Sequence, residues 1–249
     1  MRIACQTITF GNESHKTGLR EIVKTVAEAG YDGIETGYFR VDASIIDDYK
    51  AWLGEYNIKQ AGIHIGGNFN DEESVKKQLE NTPALIKFAQ TLDCRNIFFS
   101  GSPSSDYKIL AENLNKFGSE LSKGGLVLSY HNHDWEIKSD GLYAICDNTD
   151  PACLSFVPDI GWVVRGGGEP VKLLEKLGSR VSNLHFKEFT AEGKFTELGK
   201  GVVDFRAAYN FMKDKDYARD MWIIAEQDAS EIGADQSVAQ NYKYIKGLF

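Results

Sequence analysis

The sequence predicts an α/β protein folded as a single-domain (β/α)8 TIM barrel, and three observations carry that prediction. Short β-rich runs alternate with longer stretches of helical spacing along the chain. The alternation repeats eight times, and 249 residues suit one such barrel. No Pro/Ser-rich linker or charge block offers a place to divide the chain, so residues 1–249 read as one domain. Strict βα alternation implies parallel strands, in a closed barrel or an open doubly wound sheet. The open sheet of a nucleotide-binding fold usually has a Gly-rich turn after its first strand, and "TITFGNESHKTG" has no G-x-G-x-x-G.

The elements follow in order. "RIACQTITF" reads as a strand, followed by a helix from about Gly18 to Ala29, then "DGIETG" and a helix around Ala43 to Glu55. "IKQAGIHIG" precedes a helix through "SVKKQLENTPALIKFAQTL", and "RNIFFSG" precedes one through "ILAENLNKFGSELSK". In the second half, "GLVLSYHNH" leads to a shorter helix near "GLYAICDN", and "CLSFVPDIGW" leads to "EPVKLLEKLG". "VSNLHFKEF" with "VVDFRAAYNFMKDK", and "MWIIAEQD" with "SVAQNYKYIKGLF", complete the eight units. "RGGGEP" lacks a Walker lysine and serine and reads as a loop entering a helix.

Composition narrows the function. With 42% hydrophobic and 26% charged residues the chain is ordinary globular material. A net charge of −8 argues against nucleic acid and anionic membrane surfaces as partners. The four cysteines are scattered without a C-x-x-C pair, which fits a reducing, cytoplasmic setting. No window approaches a membrane span and no secretion signal is visible, although one removed earlier would leave no trace. The Asn12-Glu13-Ser14 sequon matters only in a eukaryotic secreted protein.

In such a barrel the chemistry sits at the C-terminal strand ends. Those ends carry Gln6, Glu35, His64, His131 with His133, Asp159, His185 with Lys187, and Glu226 with Gln227. Of the five histidines, only His15 lies elsewhere. Taken singly each has a plain structural role: His64 as a hydrogen-bonded strand end, Asp159 as a turn cap, Lys187 as a rim charge paired with Glu226. Together they are costly to bury unless a cation satisfies them. His131, Asp159, His185 and Glu226 come from four neighbouring strands and form a mixed N/O set. That set is neutral once it holds a divalent ion, and it suits manganese, cobalt, zinc or iron over calcium.

The stretches "AGYDGIETG", "GIHIG", "YHNHDWEI", "PDIGWVVRGG", "LHFKEF", "ELGKGVVDF" and "IIAEQD" resemble the xylose isomerase-like TIM-barrel superfamily. That group includes sugar phosphate isomerases/epimerases, inosose dehydratases and endonuclease IV. The resemblance spans almost the whole chain and implies a metal held at position 131, Asp159, His185 and Glu226. Many members have Glu-Asn-His where this chain has His131-Asn132-His133, resembling the His-rich version of inosose dehydratase-like proteins. Position 129, on the same strand face, is Ser; Glu136, in the following loop, is the reserve ligand. Asn132 is expected to face away from the barrel axis.

The resemblance implies an isomerase acting on a keto-sugar or polyol through a metal-stabilised enediolate, with an inosose dehydratase-like lyase as the alternative. The expected cofactor is one divalent ion: manganese, zinc, cobalt or magnesium. Two-base epimerisation needs two metal-bound glutamates, and a ligating His131 removes one of them. Glu226 is the first candidate base, Glu35 the second if it points inward, and Lys187 a donor to a developing oxyanion. His64, His133, Trp162 and Gln227 are expected substrate contacts, with Phe69 a further ring face. The "ELGKGVVDF" loop with Lys200 is a candidate anion site. The expected partners are a small sugar or polyol and a second copy in a homodimer. A nuclease of the endonuclease IV type needs more His and Glu ligands and a basic rim, and a noncatalytic sugar-binding barrel is the other reading.

Overall fold

The structure, a computed structural model, describes residues 1–15, 18–41 and 44–249, and for residues 12–15 the backbone alone. Eight parallel strands form one sheet: β1 (Arg2–Gln6), β2 (Gly33–Gly37), β3 (Lys59–Gly67), β4 (Asn96–Gly101), β5 (Val127–His131), β6 (Ser155–Phe156), β7 (Leu184–Phe186) and β10 (Trp222–Ala225). Their order runs β6-β5-β4-β3-β2-β1-β10-β7. Parallel bridges Phe156–Val181 and Asp159–His185 join the two outermost strands, so the sheet closes on itself. A small antiparallel hairpin, β8 (Glu188–Phe189) with β9 (Phe195–Thr196), projects beyond β7.

Helices follow the strands: α1 (Leu19–Ala29), α2 (Ile46–Glu55), α3 (Glu72–Thr91), α4 (Tyr107–Lys123), α5 (Asp134–Lys138), α6 (Gly141–Asn148), α7 (Ile160–Arg165), α8 (Pro170–Leu177), α9 (Phe205–Met212) and α10 (Ala234–Lys246). Several start where an aspartate accepts a first-turn N–H: Asp71 from Ser74, Asp106 from Lys108 and Ile109, Asp204 from Ala207. The amphipathic period of α1 buries Ile22, Val23 and Val26, and the helix stops at Gly30, whose φ of 103° suits glycine. None of the described helices is long and apolar enough to cross a membrane.

Two apolar layers result. The larger lies between sheet and helices; the smaller, Ala4, Ala61, Phe98, Val157, Trp222 and Ile224, fills the barrel. Phe98 is the pivot of the inner layer. A Cβ at Gly62 would come within 2.0 Å of its ring, so only glycine leaves the ring room. The ring lies 5.8 Å from that of His185 and forms the floor under the barrel mouth.

Some expected boundaries shift. The first strand ends at Gln6, and residues 7–15 turn through 3-10 conformation, initiated where Gln6 Oε1 accepts the Ile8 N–H. The sixth strand shrinks to Ser155–Phe156 because Asp159 already caps α7. Glu136 lies in a one-turn helix, α5, instead of a loop. The hairpin went unforeseen, since two-residue strands carry no periodicity. Ala43, the expected start of the second helix, lies outside the described residues, as do the side chains of the Asn12-Glu13-Ser14 sequon and His15.

Replacing Phe98 by Ala is expected to cost about 3–5 kcal/mol. Chemical denaturation of parent and variant side by side measures it, and a shift under about 1 kcal/mol would contradict a filled barrel interior.

Candidate functional site

Strand register brings the predicted polar residues to one mouth. Gly37 pairs with His64, Ser100 with His131, and Asp159 with His185 across neighbouring strands. His131, Asp159, His185 and Glu226 each offer a ligand atom, all within 4.8 Å of one another, and all four residues are buried. His131 Nε2 lies 3.2 Å from Glu226 Oε2 and 3.5 Å from Asp159 Oδ2. His185 Nδ1 lies 2.5 Å from the same Glu226 oxygen.

The donor set fits a divalent cation on an observation independent of any relative. His131 Nε2 and Asp159 Oδ2 are buried, face the centre of the group, and lack hydrogen-bond partners. Asp159 has two jobs: its Oδ1 caps α7 by accepting the Trp162 N–H at 2.9 Å, which leaves Oδ2 for the site. Asn132 points away from the ligand atoms and ties β5 to the segment after β6, its Oδ1 accepting the Asp159 N–H at 3.1 Å.

Charges around the group are paired closely. Lys187 Nζ donates to Glu226 Oε1 and to Asp228 Oδ2, each at 2.8 Å, and lies 4.0 Å from Asp159 Oδ2. Burial opposes its charge, but these three carboxylates hold the ammonium protonated. Glu226 is buried too, and Lys187 and His131 draw its carboxyl well below the usual range. Glu35 is fully buried; burial would raise it, yet His185 and His64 bring it down to about 2. Burial likewise resists charge on His185, while Glu35 and Glu226 raise it to about 10. A proton on His185 would therefore compete with any metal ion held there.

The mouth opens on a cavity of about 240 Å³ lined by His64, His133, Trp162, Lys187, Glu226 and Arg40, among others. His133 stacks on Trp135 at 4.1 Å and 14°, and Lys187 Nζ lies 4.8 Å above the Trp162 ring. Burial drives His133 to about 3, so its ring is neutral near pH 7. A larger recess of about 820 Å³ sits at the opposite, N-terminal strand ends, beside Arg2, Asn96, Val127 and Trp222. It contains none of the strand-end histidines, and in this fold chemistry belongs to the other face.

Other expected contacts go elsewhere. Gln227 turns behind the strand, donating to Glu197 Oε1 and the Ala229 carbonyl and accepting from Asn241; alternation aims it away from the cavity where Glu226 points inward. Phe69 packs in the core against Phe99 and Phe117 at 4.6 and 5.2 Å. Glu35 does point inward, but it sits behind His64 and His185 instead of on the cavity wall. Glu136 accepts from the Tyr130 hydroxyl and the His133 N–H, both at 2.8 Å, and is absent from the ligand group. Ser129 meets Ser182 at 2.8 Å, below the site.

The "ELGKGVVDF" loop does present backbone N–H groups, but the chain's own Glu188 takes them. Its carboxylate accepts from Phe189, Gly199 and Val203 at 3.0–3.2 Å. A Cβ on Gly201 would lie 2.4 Å from that carboxylate, so glycine is required for the fit. Lys200 lies 3.7 Å from Glu197 at the surface. Ser100 and Asp228 were missed from sequence, because single Ser and Asp residues at strand ends carry no pattern.

Asp159→Ala and His185→Ala are each expected to lose bound manganese or zinc, whereas Glu136→Gln keeps it; elemental analysis of dialysed protein decides. Because His185 holds its proton to about pH 10, metal uptake at pH 7 should release protons, and affinity should rise with pH below 10. Calorimetry in buffers of different ionisation enthalpy measures the release, and no buffer dependence would contradict it.

The sequence is 23% identical to an inosose dehydratase of Geobacillus kaustophilus over 266 residues, covering 91% of this chain and 83% of that protein. It is 24% identical to an inosose dehydratase of Lactiplantibacillus plantarum, covering 92% and 88%. A crystal structure of a sugar phosphate isomerase/epimerase from Parabacteroides distasonis superimposes with a TM-score of 0.84 at 18% identity, covering 98% and 97% of the two chains. The zinc-bound IolI protein superimposes with a TM-score of 0.79 at 13% identity, covering 100% and 98%. Residues 23–248 match the family described as xylose isomerase-like TIM barrel, and with this fold and strand-end site the chain belongs to that family.

Proposed function

We propose that the chain is a divalent-metal-dependent enzyme that removes the proton beside the carbonyl of a keto-sugar or polyol-derived ketone, with isomerisation as the outcome. The observation that carries this reading is the buried His131, Asp159, His185 and Glu226 group, opening on a cavity that also presents Lys187. When bound, a manganese, zinc, cobalt or magnesium ion supplies Lewis-acid polarisation of a carbonyl and its neighbouring hydroxyl.

The chain's own residues do the rest. Glu226 is ionised and lines the cavity, so it is the base; Lys187, hydrogen-bonded to it, neutralises negative charge that develops on substrate oxygen. Neutral His133 holds a hydroxyl and the Trp162 face packs against the carbon skeleton, while His64, expected as a substrate contact, lines the cavity with both ring nitrogens already taken by Glu35 and Ser100. Glu35, the other candidate base, positions histidines instead, since it does not reach the cavity wall. With His131 in place of a second glutamate, one carboxylate serves the substrate, which supports one-base chemistry over two-base epimerisation.

Loss of water from the carbon beyond the deprotonated one is the second reading, favoured by the relatives named inosose dehydratase. Both begin with the same proton removal. Metal-loaded protein in deuterium oxide, offered a panel of keto-sugars and inosose-like ketones, is expected to place deuterium beside the carbonyl of at least one. An isomeric product supports the first reading, and a product lighter by one water the second. Glu226→Gln should slow exchange by about 10²–10⁴-fold. Absence of exchange across the panel in protein shown to contain metal would overturn the proposal.

A further inference from the structure

A run of short contacts connects the two proposed ligand histidines behind the site. Ser100 Oγ lies 3.2 Å from His131 Nδ1 and 2.8 Å from His64 Nε2. His64 Nδ1 lies 2.8 Å from Glu35 Oε1, and Glu35 Oε2 lies 2.8 Å from His185 Nε2. The last contact is close but poorly aligned, and neither atom has a well-directed partner.

Proton positions follow by elimination. A neutral imidazole has one N–H and one lone pair, and a ring that ligates through one nitrogen bears its proton on the other. His131 Nε2 faces Asp159 and Glu226, so its proton sits on Nδ1 and is donated to Ser100 Oγ. Ser100 then turns its own hydroxyl proton toward His64 Nε2, which must be the lone-pair nitrogen. The His64 proton is left on Nδ1, donated to Glu35 Oε1. From the other end, with an ion held at His185 Nδ1, the nitrogen that faces Glu226, the remaining proton is on Nε2, toward Glu35 Oε2. Glu35 thus accepts from His64 and sets its other oxygen in electrostatic contact with the His185 Nε2–H. Reversing His64 would point two N–H groups at Ser100 and set a lone pair against the Glu35 carboxylate.

We propose that Glu35, His64 and Ser100 are positioning residues, a single relay that fixes the tautomers of both ligand imidazoles so that His131 presents Nε2 and His185 presents Nδ1 to the ion. The proposal rests on the metal-site reading above and adds that the two imidazoles are set together.

The test uses zinc, which is diamagnetic. In zinc-loaded protein labelled with ¹⁵N-histidine, long-range ¹H–¹⁵N spectra should show Nδ1–H on His64 and His131 and Nε2–H on His185. Chelator competition should find zinc bound about 10–100-fold more weakly by Ser100→Ala and by Glu35→Gln. Ser100→Thr, which keeps the hydroxyl, should stay near the parent. Parent-like affinity in both weakened variants, or an Nε2–H tautomer at His64, would overturn the relay while leaving the metal site standing. No zinc uptake by the parent would overturn both. The tautomers are read in the parent protein, so they decide the matter even if a variant fails to fold.

Discussion

Much of this structure is arranged around one buried carboxylate. Glu226 accepts from Lys187 with one oxygen and meets His185 and His131 with the other, at the C-terminal end of β10. An isolated carboxylate at that depth would be strongly disfavoured, so its partners are obligatory. They arrive from β5 and from the segment around β7, which places strict demands on strand register. A one-residue slip in any of these strands would turn its site residue to the other face.

The backbone around the mouth is fixed by side chains that never reach the cavity. Asn132 ties the end of β5 to Asp159, while Glu136 holds the turn after His133 and bonds back to Tyr130. Glu188 gathers the N–H groups of Gly199 and Val203 in the loop after β9 and leaves them closed to a substrate anion. Beneath them, Phe98 gives the polar layer a solid apolar floor. Preorganisation of this kind keeps the candidate ligand atoms together without an ion to gather them.

Placing histidine at position 131 changes the chemistry more than the fold. The ring brings a second nitrogen, and that nitrogen needs a partner, which Ser100 supplies from the neighbouring strand. A carboxylate there would add a base and a negative charge. The imidazole leaves Glu226 as the one carboxylate of the candidate ligand group that also lines the cavity.

Barrel architecture was legible in the sequence because eight alternations of period-two and period-3.6 hydrophobicity leave few ways to bury every element. Strand-end histidines and acids were legible as a group for the same reason: in this fold the chemistry gathers at the C-terminal strand ends. Which way each residue points was decided by tertiary structure. Glu226 and Gln227 are adjacent in sequence, and the pleat sends one into the cavity and the other behind it. Phe69 had the composition of a sugar platform, but its position against Phe99 and Phe117 made it core. Ser100, Asp228 and the role of Glu35 emerge only when strands distant in sequence come within hydrogen-bonding reach. Short motifs record a residue's own identity, whereas its partner is set by closure of the barrel.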